Sequence, residues 1–313
     1  MFELSEAATC INLSLDTPLG LLHASVDSRA AGLRELTLAG SPLVQSYPEG
    51  DEAPYFSGRT LLPWPNRLAH GIWNHEGHTL KLPIDDHEHQ AALHGLLSSR
   101  VYALGERTSD SVTWETTLEP SDGYPFTLGV LVRYALEGTG LRVTHSVTNL
   151  GSRDAPFAAG AHPFLRAGDG DLAAMRVTSD VHSYLIADDN LIPTAEVPLG
   201  SGHSLNLSEG VALSDVSLDT AFRVTARPEG IVTRLTSSTG HATELWQDSS
   251  WGWVQVFLTD TFPTATGNVW ALAVEPMTSP PNALATGENI ITLAPGETWT
   301  ASWGIRSVVP VAH

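Results

Sequence analysis

The chain has 313 residues, 42% of them hydrophobic, and carries 16 Lys and Arg against 35 Asp and Glu for a net charge of -19. That balance opposes the phosphate neutralisation on which nucleic-acid binding depends, and no apolar run approaches the ~18 residues a membrane span needs, so neither nucleic acid nor membrane is expected as a partner. Cys10 is the only cysteine, which rules out an intrachain disulfide and a thiolate metal cluster.

The opening Met1-Phe2-Glu3-Leu4-Ser5-Glu6 is acidic and lacks the basic and apolar regions of a secretory signal, so a cytoplasmic protein is expected. From residue 11, short apolar runs alternate with Gly, Pro, Asp and Ser clusters, and 11–15, 21–26 and 33–38 read as strands. Val112, Trp114, Thr116 and Leu118 alternate with Ser111, Thr113, Glu115 and Thr117, the period of a half-buried strand. A hairpin follows. Phe126, Leu128, Val130, Val132, Tyr134 and Leu136 share one face, Glu137-Gly138-Thr139-Gly140 turns, and Leu141, Val143, His145 and Val147 return. The last third repeats the pattern at 222–225, 242–246, 253–258, 270–274, 290–293 and 299–305. No long stretch combines helical period with caps. The pattern predicts an all-β chain with only short helices: a large antiparallel sandwich and, without a linker or composition break, a single domain over 1–313.

Several residues stand out against this background. In Gly58-Arg59-Thr60-Leu61-Leu62-Pro63-Trp64-Pro65-Asn66-Arg67-Leu68-Ala69-His70-Gly71, two prolines fix the backbone around a tryptophan and set Arg67 beside a turn. Taken alone, the stretch is equally a rigid edge loop with an ordinary Arg67 ion pair. His94 precedes Gly95, which permits close approach of backbone or ligand, and His162 ends an apolar run before Pro163. Each, taken singly, is equally a core histidine with one hydrogen bond. His145, on an apolar strand face, reads as core. Asp85-Asp86-His87-Glu88-His89 offers an H-x-H pair, but the charges around it read as a solvated loop, and no metal site is expected. Glu275 closes an apolar strand, where burial raises a carboxyl towards the working range of a general base; the alternative is a strand-end ion pair. Asp219 is either a turn residue before a strand or a site carboxylate.

In order, Pro63-Trp64-Pro65-Asn66-Arg67 with Gly71, His94-Gly95, His162-Pro163, Leu218-Asp219, and Val274-Glu275-Pro276 with Asn282 and Pro295-Gly296-Glu297 resemble the aldose 1-epimerase family, the mutarotases. The resemblance runs over nearly the whole chain. It implies a galactose-mutarotase-like β-sandwich, or supersandwich, with an open sugar cleft, Glu275 as catalytic base and His162 as catalytic acid. It further implies Arg67, His94 and Asp219, with Asn66 and Trp64 of the motif, as sugar-binding residues, a small-molecule sugar as partner, and no metal or redox cofactor. Trp64, Trp73, Trp246 and Trp270 are candidate stacking platforms or core residues, and only Trp64 has motif support. Ala161 stands where better-known mutarotases have asparagine before the acid histidine. The Pro-Trp-Pro-Asn-Arg form resembles a branch that includes mutarotases of sulfonated sugars. The substrate thus stays open between a neutral hexose and a phosphorylated or sulfonated sugar. Arg59, Arg67 and Arg100 are the nearest basic residues for an anion, and the charge of -19 argues against one. A sugar-binding protein without turnover is the remaining alternative.

Overall fold

Strands that alternate inward apolar with outward polar side chains bury one face and need a second layer to cover it. In the computed structural model, which describes residues 8–227 and 230–308, that requirement is met by stacked antiparallel sheets. The acidic opening hexapeptide lies outside the described residues.

Among the described residues, the largest sheet has nine strands, in the order Ala103–Arg107, Ser111–Leu118, Leu128–Glu137, Gly140–Asn149, Thr298–Val308, Ala242–Gln247, Ile231–Thr236, Arg176–Ser179 and Val211–Ala212. A second sheet, which carries the cleft described below, runs in the order Pro193–Pro198, Val181–Ala187, Asp219–Val224, Trp253–Thr264, Gly267–Met277, Gly160–Ala161 and Thr60–Leu61. A four-stranded sheet, Cys10–Thr17 to Ser41–Pro42, packs on the first. One continuous buried cluster links inward residues of all three, from Ile11 to Ile305. Among the described residues, helix is confined to single turns such as Ala283–Thr286, in keeping with the missing helical period.

The hairpin pairs as expected, from Leu128 opposite Asn149 to Glu137 opposite Gly140. Leu141, Val143, His145 and Val147 point inward and are buried. His145 is a core histidine: its Nε2 accepts a 2.9 Å hydrogen bond from Trp303 Nε1, and burial lowers its pKa to about 3. On the opposite side of this seam, Thr144 pairs with Ser302, Ser146 with Thr300 and Thr148 with Thr298 through their hydroxyls. The strand expected at 270–274 extends to Met277, so Glu275 lies within it rather than closing it. Strands at 176–179, 181–187, 193–198 and 231–236 had no counterpart in the sequence reading.

Candidate functional site

Strand alternation places the site on the face of the second sheet away from the core. Phe222, Val254, Val256 and Val274 point into the core, so their neighbours Asp219, Gln255, Phe257 and Glu275 emerge on the other side. Glu275 sits directly opposite Gln255, and Asp219 opposite Phe257. Gln255 Nε2 donates to Asp219 Oδ1 at 2.6 Å and fixes that carboxylate. Asp219, Phe257 and Glu275 line one wall of a cleft of about 290 Å³, with Gln255 beside them. That is the small end of the ~300–1,000 Å³ typical of ligand sites.

The other wall comes from the proline-bracketed stretch. Its Arg59 carbonyl accepts from His162 N–H at 3.0 Å, and Gly58 N–H donates to the His162 carbonyl at 2.8 Å. Held from both sides, His162 brings Nε2 to 3.3 Å from Glu275 Oε1. Both residues are buried. Burial pushes the Glu275 carboxyl well up, with Asp219 adding to the effect and Arg67 opposing it, and burial pushes His162 down to about 3. The pair therefore favours a carboxylic acid beside a neutral imidazole, with one proton between them.

Asn66 and His94 both adopt left-handed backbone, with φ of 55° and 59°, a cost that concentrates where geometry matters. They lock each other: His94 N–H donates to the Asn66 carbonyl at 2.9 Å, and Asn66 N–H donates to His94 Nδ1 at 3.1 Å. Because Nδ1 accepts, Nε2 carries the ring proton, and burial followed by the nearby His162, Arg67 and Arg59 keeps the ring neutral. His94 thus presents a fixed N–H donor. The glycine after it has φ of 78°, and a Cβ there would meet the Leu62 carbonyl oxygen at 2.1 Å, so Gly95 serves the close approach its position implies.

Arg67 donates through Nε to Asp86 Oδ2 at 2.8 Å, and Asp86 also bonds His89 Nδ1 at 2.9 Å. Burial raises the Asp86 pKa, but the bonds from His89 and Arg67 outweigh it and hold the carboxyl below its usual value. Asp85, His87 and Glu88 are exposed, as a solvated loop implies; the correction concerns Asp86, which supports Arg67, and His89, which lies at the cleft. Asn282 clamps the backbone behind it, donating to the Arg67 carbonyl at 2.7 Å and accepting from Ala69 N–H at 3.1 Å. The terminal guanidinium nitrogens of Arg67 have no protein partner among the described residues.

Glu275, His162, His94, Asn66, Arg67 and Asp219 all reach this cleft. Trp64 does not, and its reading as a stacking platform is corrected. It is 3% exposed within the core cluster, with its indole N–H on the Ala92 carbonyl at 3.2 Å, and presents no face to a ligand. Trp64→Phe is expected to lower stability by about 1–3 kcal/mol, measured by urea denaturation, because it removes buried volume and the indole bond without touching the cleft. Trp73 is likewise core, and Trp246 lies under Arg142, 4.5 Å from the ring centre, on the nine-stranded sheet. Of the three arginines weighed for an anion, Arg59 is buried against Glu52 and Phe56, and Arg100 is outside the cleft. The aromatic residues at the cleft are Tyr55, Phe56 and Phe257, none of which the sequence singled out.

Donor atoms of His94, His162 and Glu275 lie within 4.8 Å of one another, a spacing that would suit a metal. The Asn66 N–H removes His94 from such a set, since the only lone pair its ring offers is already used. Two ligands remain, fewer than a structural or catalytic zinc site requires.

The layered antiparallel sandwich with its cleft on the outer face of one sheet places the protein among the galactose-mutarotase-like folds. A homologue of GalM and aldose epimerase from Caenorhabditis elegans shares it with a TM-score of 0.82 at 18% identity, over 96% of this chain and 99% of that one. The model of the aldose 1-epimerase family matches residues 20–306, and the chain belongs to that family. Among its relatives are the uncharacterized protein YihR of Escherichia coli, 32% identical over 92% of this chain and 91% of that protein, and the galactose mutarotase of Sus scrofa, 29% identical over 51% and 47%.

Proposed function

We propose that the protein is an aldose 1-epimerase, an isomerase that interconverts the α and β anomers of a free aldopyranose, working as one domain. The observation that carries this reading is the buried His162–Glu275 pair, 3.3 Å apart, facing a cleft. Around it, His162 Nδ1, Glu275 Oε2 and Gln255 Oε1 are buried without a protein partner among the described residues. Buried polar atoms are normally satisfied, so three of them around one cleft support a polar ligand there.

Anomerisation opens a hemiacetal and recloses it on the other face. Glu275 takes the proton of the C1 hydroxyl while His162 gives one to the ring oxygen; the C1–C2 bond then turns, and the two groups exchange roles to close the ring. The two oxygens sit on one carbon, so an acid and a base in mutual contact serve both. Before opening, the single proton of the pair passes from Glu275, where burial favours it, to His162 across their 3.3 Å contact; opening puts a proton back on Glu275, and closing returns it to His162, so the pair ends each turnover as it began. Arg67, Asp219 and the fixed N–H of His94 hold the remaining hydroxyls during the rotation.

A neutral sugar fits best. Among the described residues, the one guanidinium in the cleft, that of Arg67, is already paired with Asp86, and Asp219 stands on the facing wall. Saturation-exchange NMR on a panel of neutral, phosphorylated and sulfonated aldoses tests this. Accelerated exchange between α and β anomeric protons is expected with a neutral hexose, and faster than with its anionic analogues. A preference for the anions overturns the substrate class, and binding without acceleration leaves a sugar-binding protein.

A further inference from the structure

We propose that the segment Ser46 to Phe56 is a hinged cover over the cleft, closed by a hydrogen bond between the hydroxyls of Tyr55 and Thr261; this rests on the mutarotase reading for its purpose. The segment leaves the sheets at Gln45, whose N–H donates to the Phe164 carbonyl, and rejoins at Gly58, whose N–H and carbonyl both bond to other strands. Between these anchors, every hydrogen bond from backbone to backbone found for residues 46–56 is a local turn, such as Asp51 N–H to Pro48 and Ser57 N–H to Pro54. Arg34 of the four-stranded sheet holds the Tyr47 carbonyl at 3.0 Å, and beyond Tyr47 no backbone group of the segment bonds to a sheet among the described residues. Its tip, 48–52, is exposed and rich in carboxylates.

Side chains hold it in place. Tyr55 Oη lies 2.6 Å from Thr261 Oγ1, and its ring packs 5.7 Å from Phe257 and 6.3 Å from Phe262. The Phe56 ring meets the edge of His94 at 4.7 Å, and Glu52 pairs with Arg59. Both aromatic residues sit in left-handed backbone, φ of 50° and 57°, which non-glycine residues adopt only when their surroundings compel it. A segment strained in its closed form, free of sheet bonds beyond Tyr47 and fastened by exposed hydroxyls at Tyr55 and Thr261 opens without disturbing the sandwich. Gly58 fixes the hinge, because a Cβ there would meet the Leu33 carbonyl oxygen at 1.9 Å.

Closure has a chemical purpose. Once the ring opens, the bound intermediate is a linear aldehyde with fewer constraints than the pyranose, and a cover retains it until the ring recloses. The Tyr55 and Phe257 rings supply an apolar surface against which the C–H face of the sugar packs, while Arg67 and Asp219 take its hydroxyls.

The test uses Thr261→Val and Tyr55→Phe, each of which removes the latch and keeps the packing. Hydrogen exchange followed by mass spectrometry is expected to show at least a fivefold rise in amide exchange over 48–57 in both variants, with the strand Gly267–Met277 unchanged. In Thr261→Val the KM is expected to rise about fivefold with kcat within twofold of wild type, and hydroxylamine to trap open-chain aldehyde at a rate proportional to enzyme, which the wild type does not support. Unaltered amide exchange, or unaltered KM and trapping, overturns the latch. If the wild type interconverts no anomers, the mutarotase reading falls and the loop exchange alone decides the latch, a rise upholding it and no rise overturning it.

Discussion

Glu275→Gln is expected to slow anomer exchange by about 10²- to 10⁴-fold while leaving sugar affinity within a few-fold. The amide keeps the shape and the hydrogen-bonding reach of the carboxyl but cannot take a proton from the C1 hydroxyl. Exchange NMR gives the rate and calorimetry the affinity; a variant that turns over at the wild-type rate removes Glu275 from the chemistry. The same substitution has a stability signature. Because burial raises the Glu275 pKa above its ordinary 4.5, the folded state holds a proton that the unfolded chain has released. Stability from this group is complete below the unfolded value and declines as pH rises towards the folded one, by up to ~1.4 kcal/mol per pH unit. Glu275→Gln removes that slope, so urea midpoints measured between pH 5 and 8 should fall less steeply in the variant. The wild-type rate should itself be bell-shaped in pH, lost when the His162–Glu275 pair gains a second proton or gives up its only one, with both limbs belonging to the pair rather than to either residue.

Gly95→Ala is expected to cost about 3 kcal/mol or more and to lower kcat/KM at least tenfold. A Cβ at this position would stand 2.1 Å from the Leu62 carbonyl oxygen and 2.3 Å from its carbon, in a backbone of φ 78°. The carbonyl cannot retreat, since it accepts from both Leu96 and Leu97 N–H, at 2.8 and 3.0 Å. The displacement falls on His94, next in the chain, and through it on the Asn66 lock. Gly40→Ala is the matching control: its φ is 79° and no atom lies within 4 Å of the added carbon, so only the backbone preference, about 1 kcal/mol, is lost. Similar urea midpoints for the two variants would refute the steric account.

Legibility in the sequence followed the physics of burial. The strands from Ser111 to Asn149 were readable because one face is wholly buried and the other wet, which imprints a period of two. Val181–Ala187 and Pro193–Pro198 were not, because Pro193–Pro198 is the edge strand, where proline is tolerated, Val181–Ala187 is next to it, and much of both faces stays exposed, so the pattern blurs. In the site, Glu275 and His162 were visible as titratable groups in apolar runs. Gln255 was invisible, as an uncharged residue in a strand whose importance comes from Asp219, 36 positions away. Asp86 was misjudged because Asp85, His87 and Glu88 around it are exposed while it turns inward to Arg67 together with His89. Trp64 misled for the opposite reason: its motif forms the wall of the cleft, and the tryptophan anchors that wall from behind.

The seam where Gly140–Asn149 meets Thr298–Val308 joins hydroxyl partners 150 to 158 positions apart, and the later strand also carries Ala242–Gln247 on its other edge. It is the piece that unites the two halves of the nine-stranded sheet, and it leaves the ribosome after every other described strand. At roughly 5–20 residues per second, the edge at 140–149 waits on the order of 8–30 s for its partner. Through that interval the nascent chain displays a long unpaired edge with Leu141, Val143 and Val147 uncovered, so its productive folding depends on protection during synthesis as much as on the contacts of the finished sandwich.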